Sequence, residues 1–199
     1  MPRYTRKKWN KKYVRKSHNC YSYMLDKINK NYANICKKHL KSKDNHNCKF
    51  LKAQPGLFAG KKDVKLRRQY TCKLMNRRVL ADNKHIFKTK KDCPKNYYKG
   101  SLFIHPNSTY HFYRQDDDGR WSHKDGTNNI SNRDAKRRII KDPLKAARKY
   151  LATKHEAGVY YSRHCTDYCI PKSKKKKFFS AYTRKKNRNK RKNKTRRRN

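Results

Sequence analysis

The stretch from Gly100 to Lys124, GSLFIHPNSTYHFYRQDDDGRWSHK, constrains the fold more than any other part of the chain. β-Branched and aromatic residues fill GSLFIHP, STYHFYR and GRWSHK, while PNS and DDDG supply turn-forming residues between them. The pattern predicts an antiparallel meander of three short strands. Alternation in the second strand puts Thr109, His111 and Tyr113 on one face and Tyr110, Phe112 and Arg114 on the other. In the third, Trp121 and His123 share a face. A three-residue turn over the aspartates would set His111 opposite His123, whereas a register slip would send one of them to the other face. Asp116 to Asp118 read as turn-shaping and as local charge relief, with attraction of a divalent ion as the alternative.

Upstream, CYSYMLDKINKNYANICKKHL places Tyr21, Leu25, Ile28, Tyr32 and Ile35 at helical spacing, and Ser17 or Asn19 can cap its start. QPG at Gln54 to Gly56 punctuates a loop. A second helix is expected from about Lys62 to Leu80, where Leu66, Tyr70 and Leu74 recur every fourth residue. KDPLKAARKYLATKH predicts a third, beginning near Pro143, because proline fits the first helical turn. Helices before an antiparallel meander make the expected fold class α+β. Residues 1–18 read as a basic arm with Trp9 and Tyr13 as its only bulky anchors, 19–171 as the domain, and 172–199 as a disordered polybasic tail.

The 59 Lys and Arg against 13 Asp and Glu leave a net charge of +46. A chain so charged repels itself unless an anionic partner neutralises it. Its 15 Tyr and 7 Phe nevertheless supply side chains to bury, which argues against a wholly disordered polycation. In the tail, Lys174, Lys175, Lys176, Lys177, Arg184, Lys185, Lys186, Arg188, Lys190, Arg191, Arg196, Arg197 and Arg198 have no acidic residue among them. Such a segment condenses on nucleic acid by releasing counter-ions, independently of sequence and with steep salt dependence. Phe178, Phe179 and Tyr182 can stack on bases or pack on a partner. No run approaches the roughly 20 apolar residues of a membrane span, and no apolar segment follows the basic N-terminus. Neither membrane insertion nor secretion by a signal peptide is expected.

Seven cysteines leave at least one unpaired within a monomer. Their irregular spacing favours free thiols in a reducing compartment, open to later oxidation in a virion. Cys36, His39, His46 and Cys48, with His164, Cys165 and Cys169, could close a tetrahedral zinc site, although structural zinc sites show cleaner paired spacing. Neither a metal nor a cofactor is expected. Cys20 is different, because a cysteine in the first turn of a helix meets unsatisfied N–H groups that favour thiolate. A nearby histidine could take its proton and a second polar group could orient that histidine. Cys20, His111 and His123 therefore form a candidate triad. The competing readings are a small buried Cys20, a satisfied core His111 and a solvent-facing His123.

The order NCYSYML, QPG, YHFYRQDDDG and RWSHKDG resembles a poorly characterised family of bacteria and large DNA viruses. Its members carry N-C-Y-x-Y-A-L, then Q-P-G, then D-Y-H-W/F-Y-R-Q-D-x-D-G-x-W-S-H-K-P-G. That family is similar to papain-like cysteine hydrolases of the NlpC type. The resemblance runs over roughly residues 19 to 171, ending at YCIP. It implies a papain-like fold whose N-terminal helix starts at the cysteine and packs on a small antiparallel sheet. It also implies Cys20 as nucleophile, His111 as base and His123 as orienting residue. Met24, Thr109 and Asp125 depart from the family pattern but leave this triad intact. The Lys-, Asn- and Tyr-rich composition suits an AT-rich genome and, with the family's distribution, points to a large DNA virus. Two functions follow as expectations. One is a papain-like peptidase or amidase domain in a nucleic-acid-binding virion protein. The other is a purely structural minor capsid or DNA-packaging protein with a retired site, its partners nucleic acid and capsid proteins. The expected setting is the virion interior or a cytoplasmic viral factory.

Overall fold

The computed structural model describes residues 1–42, 48–61, 70–152 and 158–172. His46, the first part of the helix expected from Lys62, and the tail cations from Lys174 to Arg198 lie outside them. The fold is α+β. Its sheet has six strands, β1 (Phe87–Thr89), β2 (Tyr97–His105), β3 (Thr109–Gln115), β4 (Trp121–Lys124), β5 (Ile130–Ser131) and β8 (Arg163–Pro171). Their order is β1-β8-β2-β3-β4-β5, antiparallel throughout. The meander read from the sequence is β2–β3–β4. A separate ribbon pairs β6 (Lys149–Tyr150) with β7 (Val159–Tyr160).

The helical periodicity from Cys20 resolves into two helices, α3 (Cys20–Met24) and α4 (Lys30–His39). Asn19 caps α3 by accepting the Ser22 N–H at 3.2 Å, and Asn29 caps α4 by accepting the Tyr32 N–H at 3.1 Å. Between them Asp26 takes a left-handed φ of 47° and ends the first helix. Tyr21, Met24 and Leu25 bury against Leu102, Phe112, Tyr168 and Ile170 of the sheet. Gly100 in β2 permits this approach. A Cβ there would stand 2.7 Å from both Met24 Cγ and Ile170 Cδ1, closer than packed carbons come.

Residues 1–18 are not a free arm. They form α1 (Arg6–Trp9) and α2 (Lys12–Ser17), and Trp9 and Val14 share a core with Tyr23, Ala33 and Ile130. The Tyr4 hydroxyl donates to the Ile130 carbonyl at 3.1 Å, and the Asp117 N–H donates to the Pro2 carbonyl at 3.0 Å. Arg3, Arg6, Lys7, Lys11 and Lys12 are exposed around a buried stripe that the number of cations disguises in the sequence.

The free-thiol expectation is also corrected. Cys36–Cys48, Cys72–Cys165 and Cys93–Cys169 are disulfides, and Cys20 is the one free cysteine, buried. Cys36, Cys48, Cys165 and Cys169 are therefore not available as zinc thiolates, and the described residues hold no cluster of three or more metal-binding side chains. The helix expected near Lys62 is described from Cys72 to Asp82 as α5. The helix expected from Pro143 is a turn leading into β6. There the Arg148 guanidinium donates to the carbonyls of Pro143, Leu144, Ala146 and Tyr161, taking acceptors that a helix would use itself. Among the described residues no helix is long and apolar enough to cross a membrane.

Candidate active site

Gly119 sets the geometry of the histidine pair. Its φ of 78° makes it the left-handed third residue of a loop over Asp117, Asp118 and Gly119, closed by the Asp116 N–H donating to the Arg120 carbonyl at 2.8 Å. The turn is therefore one residue later than one centred over the three aspartates. Tyr113, not His111, stands opposite His123, and His111 lies diagonal to it on the same face. Asp116 to Asp118 do not converge as a group of metal-binding side chains among the described residues. Asp116 instead forms an ion pair with Arg114 at 2.7 Å.

The diagonal still brings the imidazoles into contact. His111 Nε2 and His123 Nδ1 are 2.8 Å apart, and His123 Nε2 is 3.0 Å from the Arg133 carbonyl oxygen. A carbonyl can only accept, so His123 Nε2 carries a hydrogen. Neutral His123 then has a bare Nδ1, which must accept from His111 Nε2–H. Neutral His111 is left with its lone pair at Nδ1. Burial, followed by His123 and Lys124, holds His111 well below the ordinary imidazole range, and burial also lowers His123. The His111 ring stacks on Tyr161 with centroids 4.8 Å apart. His123 is buried, contrary to its solvent-facing reading.

Cys20 opens α3 and packs in the core with Phe112 and Tyr110, the residues flanking His111. The Phe112 backbone N–H reaches its sulfur, but burial dominates and pushes the thiol up to about 12. The single turn of α3 does not produce the resting thiolate that a helix start suggests. The contacts at 2.8 and 3.0 Å account for the hydrogen bonds of the two imidazoles among the described residues, and neither involves Cys20. The structure thus joins the two histidines directly on one face of the sheet and places Cys20 on the other, packed against Phe112 and Tyr110, so the cysteine is not joined to the pair.

Two participants were not legible as such in the sequence. The QPG loop is clamped by α5, where Asp82 accepts the Gly56 N–H at 2.6 Å and the Ala59 N–H at 2.8 Å, and Arg78 Nε donates to the Pro55 carbonyl at 2.5 Å. From that clamp, Ala53 accepts the Asn19 side-chain N–H at 2.9 Å, and Gln54 Oε1 accepts the Tyr110 hydroxyl. Gln54 is thereby tied to the residue before His111, while its neighbour is tied to the residue before Cys20. With its oxygen occupied, its amide presents Nε2 as a donor. Arg78 and Asp82, charged at i, i+4 on an otherwise apolar helix face, are the signal that was available.

Lys124 is the second. Its Nζ donates to the carbonyls of Arg15, Gly126 and Asn128 at 2.9, 2.7 and 3.1 Å. Burial, then Lys52, lowers its ammonium to about 7, against three acceptors that fit all three of its N–H bonds. It fastens α2 and the loop after β4 to the site's floor. Two surface clefts, of about 320 and 500 Å³, lie along the N-terminal segment and are not lined by Cys20, His111 or His123. Searches of family models, curated proteins and solved structures find no match to this chain.

Proposed function

We propose that the chain is a papain-like cysteine hydrolase domain, a peptidase or amidase, carried by a nucleic-acid-binding basic protein inside the particle of a large DNA virus. The observation that supports it is the chain from the Arg133 carbonyl through His123 to His111. It leaves an unprotonated nitrogen on the residue next to the N–H that meets the Cys20 sulfur. In the proposed reaction Cys20 Sγ attacks an acyl carbon while its proton passes to His111 Nδ1, a transfer that requires the thiol to reach past the β3 backbone from the Phe112 face. The imidazolium, steadied by His123, returns that proton to the leaving amine. Water, deprotonated by His111, then cleaves the thioester. Gln54 Nε2 and the N–H groups at the start of α3 would hold the oxyanion. Because burial keeps the thiol protonated, proton transfer accompanies attack instead of preceding it. The tail cations from Lys174 to Arg198 would neutralise nucleic acid or an acidic capsid surface, and the disulfides suit a particle oxidised after assembly.

The buried, upshifted Cys20 favours a second reading, a structural minor capsid or packaging protein whose site is retired. The pH dependence of Cys20 alkylation by iodoacetamide, in wild type and His111→Ala, separates the two. Alkylation that rises through the range well below the free-thiol value of about 8.5, and is lost in the variant, supports the hydrolase. A thiol indifferent to His111 leaves the structural role.

A further inference from the structure

The groove of about 500 Å³ between α1, α2 and α4 has a composition that the catalytic reading does not use. Val14, Ile28 and Ala33 give it an apolar floor, and Tyr13 forms one wall. Lys7, Lys11 and Lys30 are exposed around its rim. None of the three forms a salt bridge with a described residue, whereas Lys8 beside them is tied to Asp26 at 3.1 Å. Asn34 adds a side-chain amide, both donor and acceptor, at the edge of the floor. The Lys37 ammonium lies 5.8 Å from the Tyr13 ring centroid, so one face of that ring already meets a cation.

Uncompensated cations around an apolar, partly aromatic hollow match a polymer that alternates fixed negative charge with flat apolar surface. Duplex nucleic acid offers only the charge, because its base faces are stacked inside. An acidic peptide satisfies the lysines but carries its charges on flexible stems and brings no flat ring to the floor. We infer that this groove seats one unpaired base of a single-stranded nucleic acid, with Lys7, Lys11 and Lys30 on the flanking phosphates and the Asn34 amide at the base edge. The inference rests on the nucleic-acid-binding part of the proposed function. It adds a site on the folded domain, distinct from the tail, and a preference for single strands.

The test uses the full chain with an oligothymidylate of about 12 nucleotides. Its partners are an abasic oligomer of equal length, a duplex of equal length, and polyglutamate as competitor. Lys7→Gln/Lys11→Gln/Lys30→Gln should reduce the slope of log affinity against log salt for oligothymidylate by about 2, at roughly 0.7 per lost phosphate contact on a single strand. The exposed triple Lys88→Gln/Lys90→Gln/Lys91→Gln at the β1 edge should change it less. The abasic oligomer should bind wild type about tenfold or more weakly than oligothymidylate, the loss of a stacked base, and that gap should narrow in the groove variant. Equal affinity for abasic and intact strands overturns the inference, as does an equal effect of the two triples. So does preferential binding of the duplex, or displacement of the oligonucleotide by polyglutamate at matched charge. If wild type binds no nucleic acid, the proposed function falls with it. If wild type binds and the groove variant is unchanged, only this site falls.

Discussion

β3 carries two buried polar networks, one on each face, and they handle charge in opposite ways. On the α3 face, Arg114 is fully buried yet stays ionised. Its guanidinium lies 2.7 Å from Asp116 and 3.1 Å from Asp26, and 4.0 Å above the Tyr23 ring. A closed circuit surrounds it. Arg114 donates to the Tyr23 hydroxyl at 2.9 Å, and Ser122 donates to Asp116. The Tyr23 hydroxyl must therefore give its own hydrogen to Ser122, 2.7 Å away. On the other face, His111 and His123 have no carboxylate hydrogen-bonded to them among the described residues and are held neutral by fixed tautomers. His18 behaves like them. Its Nε2 accepts the Asn29 N–H at 2.9 Å, which occupies the lone pair a second proton would need. In a chain with 13 acidic residues against 59 basic ones, a buried cation survives where it captures carboxylates. Lys124 is met by three backbone carbonyls instead, and the buried imidazoles are held in the neutral form.

The hardest way to break this contrast is Arg114→Met. It leaves Asp26 and Asp116 without their buried partner and should cost about 3–5 kcal/mol, read as a lower urea midpoint at unchanged m-value. A loss below 1 kcal/mol would mean that the network is ornamental. The histidine side is probed by pH. Folded-state values below the unfolded value of about 6.5 mean that the unfolded chain binds more protons as pH falls. The stabilisation is complete above about 6.5 and lost on acidification towards the folded values. His18, lowered to about 4 chiefly by burial, should alone contribute roughly 3 kcal/mol to this loss. His18→Gln should flatten the stability profile between about pH 6.5 and 4, and an unchanged profile would contradict the fixed tautomer. Ser122→Ala is the mildest cut. Removing one hydrogen bond to a charged group should cost about 1.5–3 kcal/mol, again by urea titration, with Arg114 still paired.

The meander and the shared face of the two histidines were legible because alternation and turn residues are local signals. The turn position was not, since three aspartates advertise a turn more loudly than the one glycine whose φ decides it. The N-terminal helices were hidden by their lysines, which outnumber Trp9 and Val14 but are not buried. Two disulfides join residues 93 and 76 positions apart, and spacing says nothing about contacts made only after the sheet assembles. Gln54 and Lys124 escaped for the same reason. Each owes its place to carbonyls, hydroxyls and amides contributed by other segments, whereas His111 and His123 owe theirs mainly to one hairpin.

The strand that leads into the tail is a mechanical mount. β8 lies between β1 and β2, and Cys165 and Cys169 bolt it to α5 and to the segment before β2. A pull on the chain beyond Lys172 would load two hydrogen-bond ladders in shear, with covalent cross-links behind them, instead of peeling an edge strand one bond at a time. A tail gripping a polyanion under tension would therefore transmit force into the folded domain without unzipping it, and reduction of those two disulfides should be what makes the mount yield.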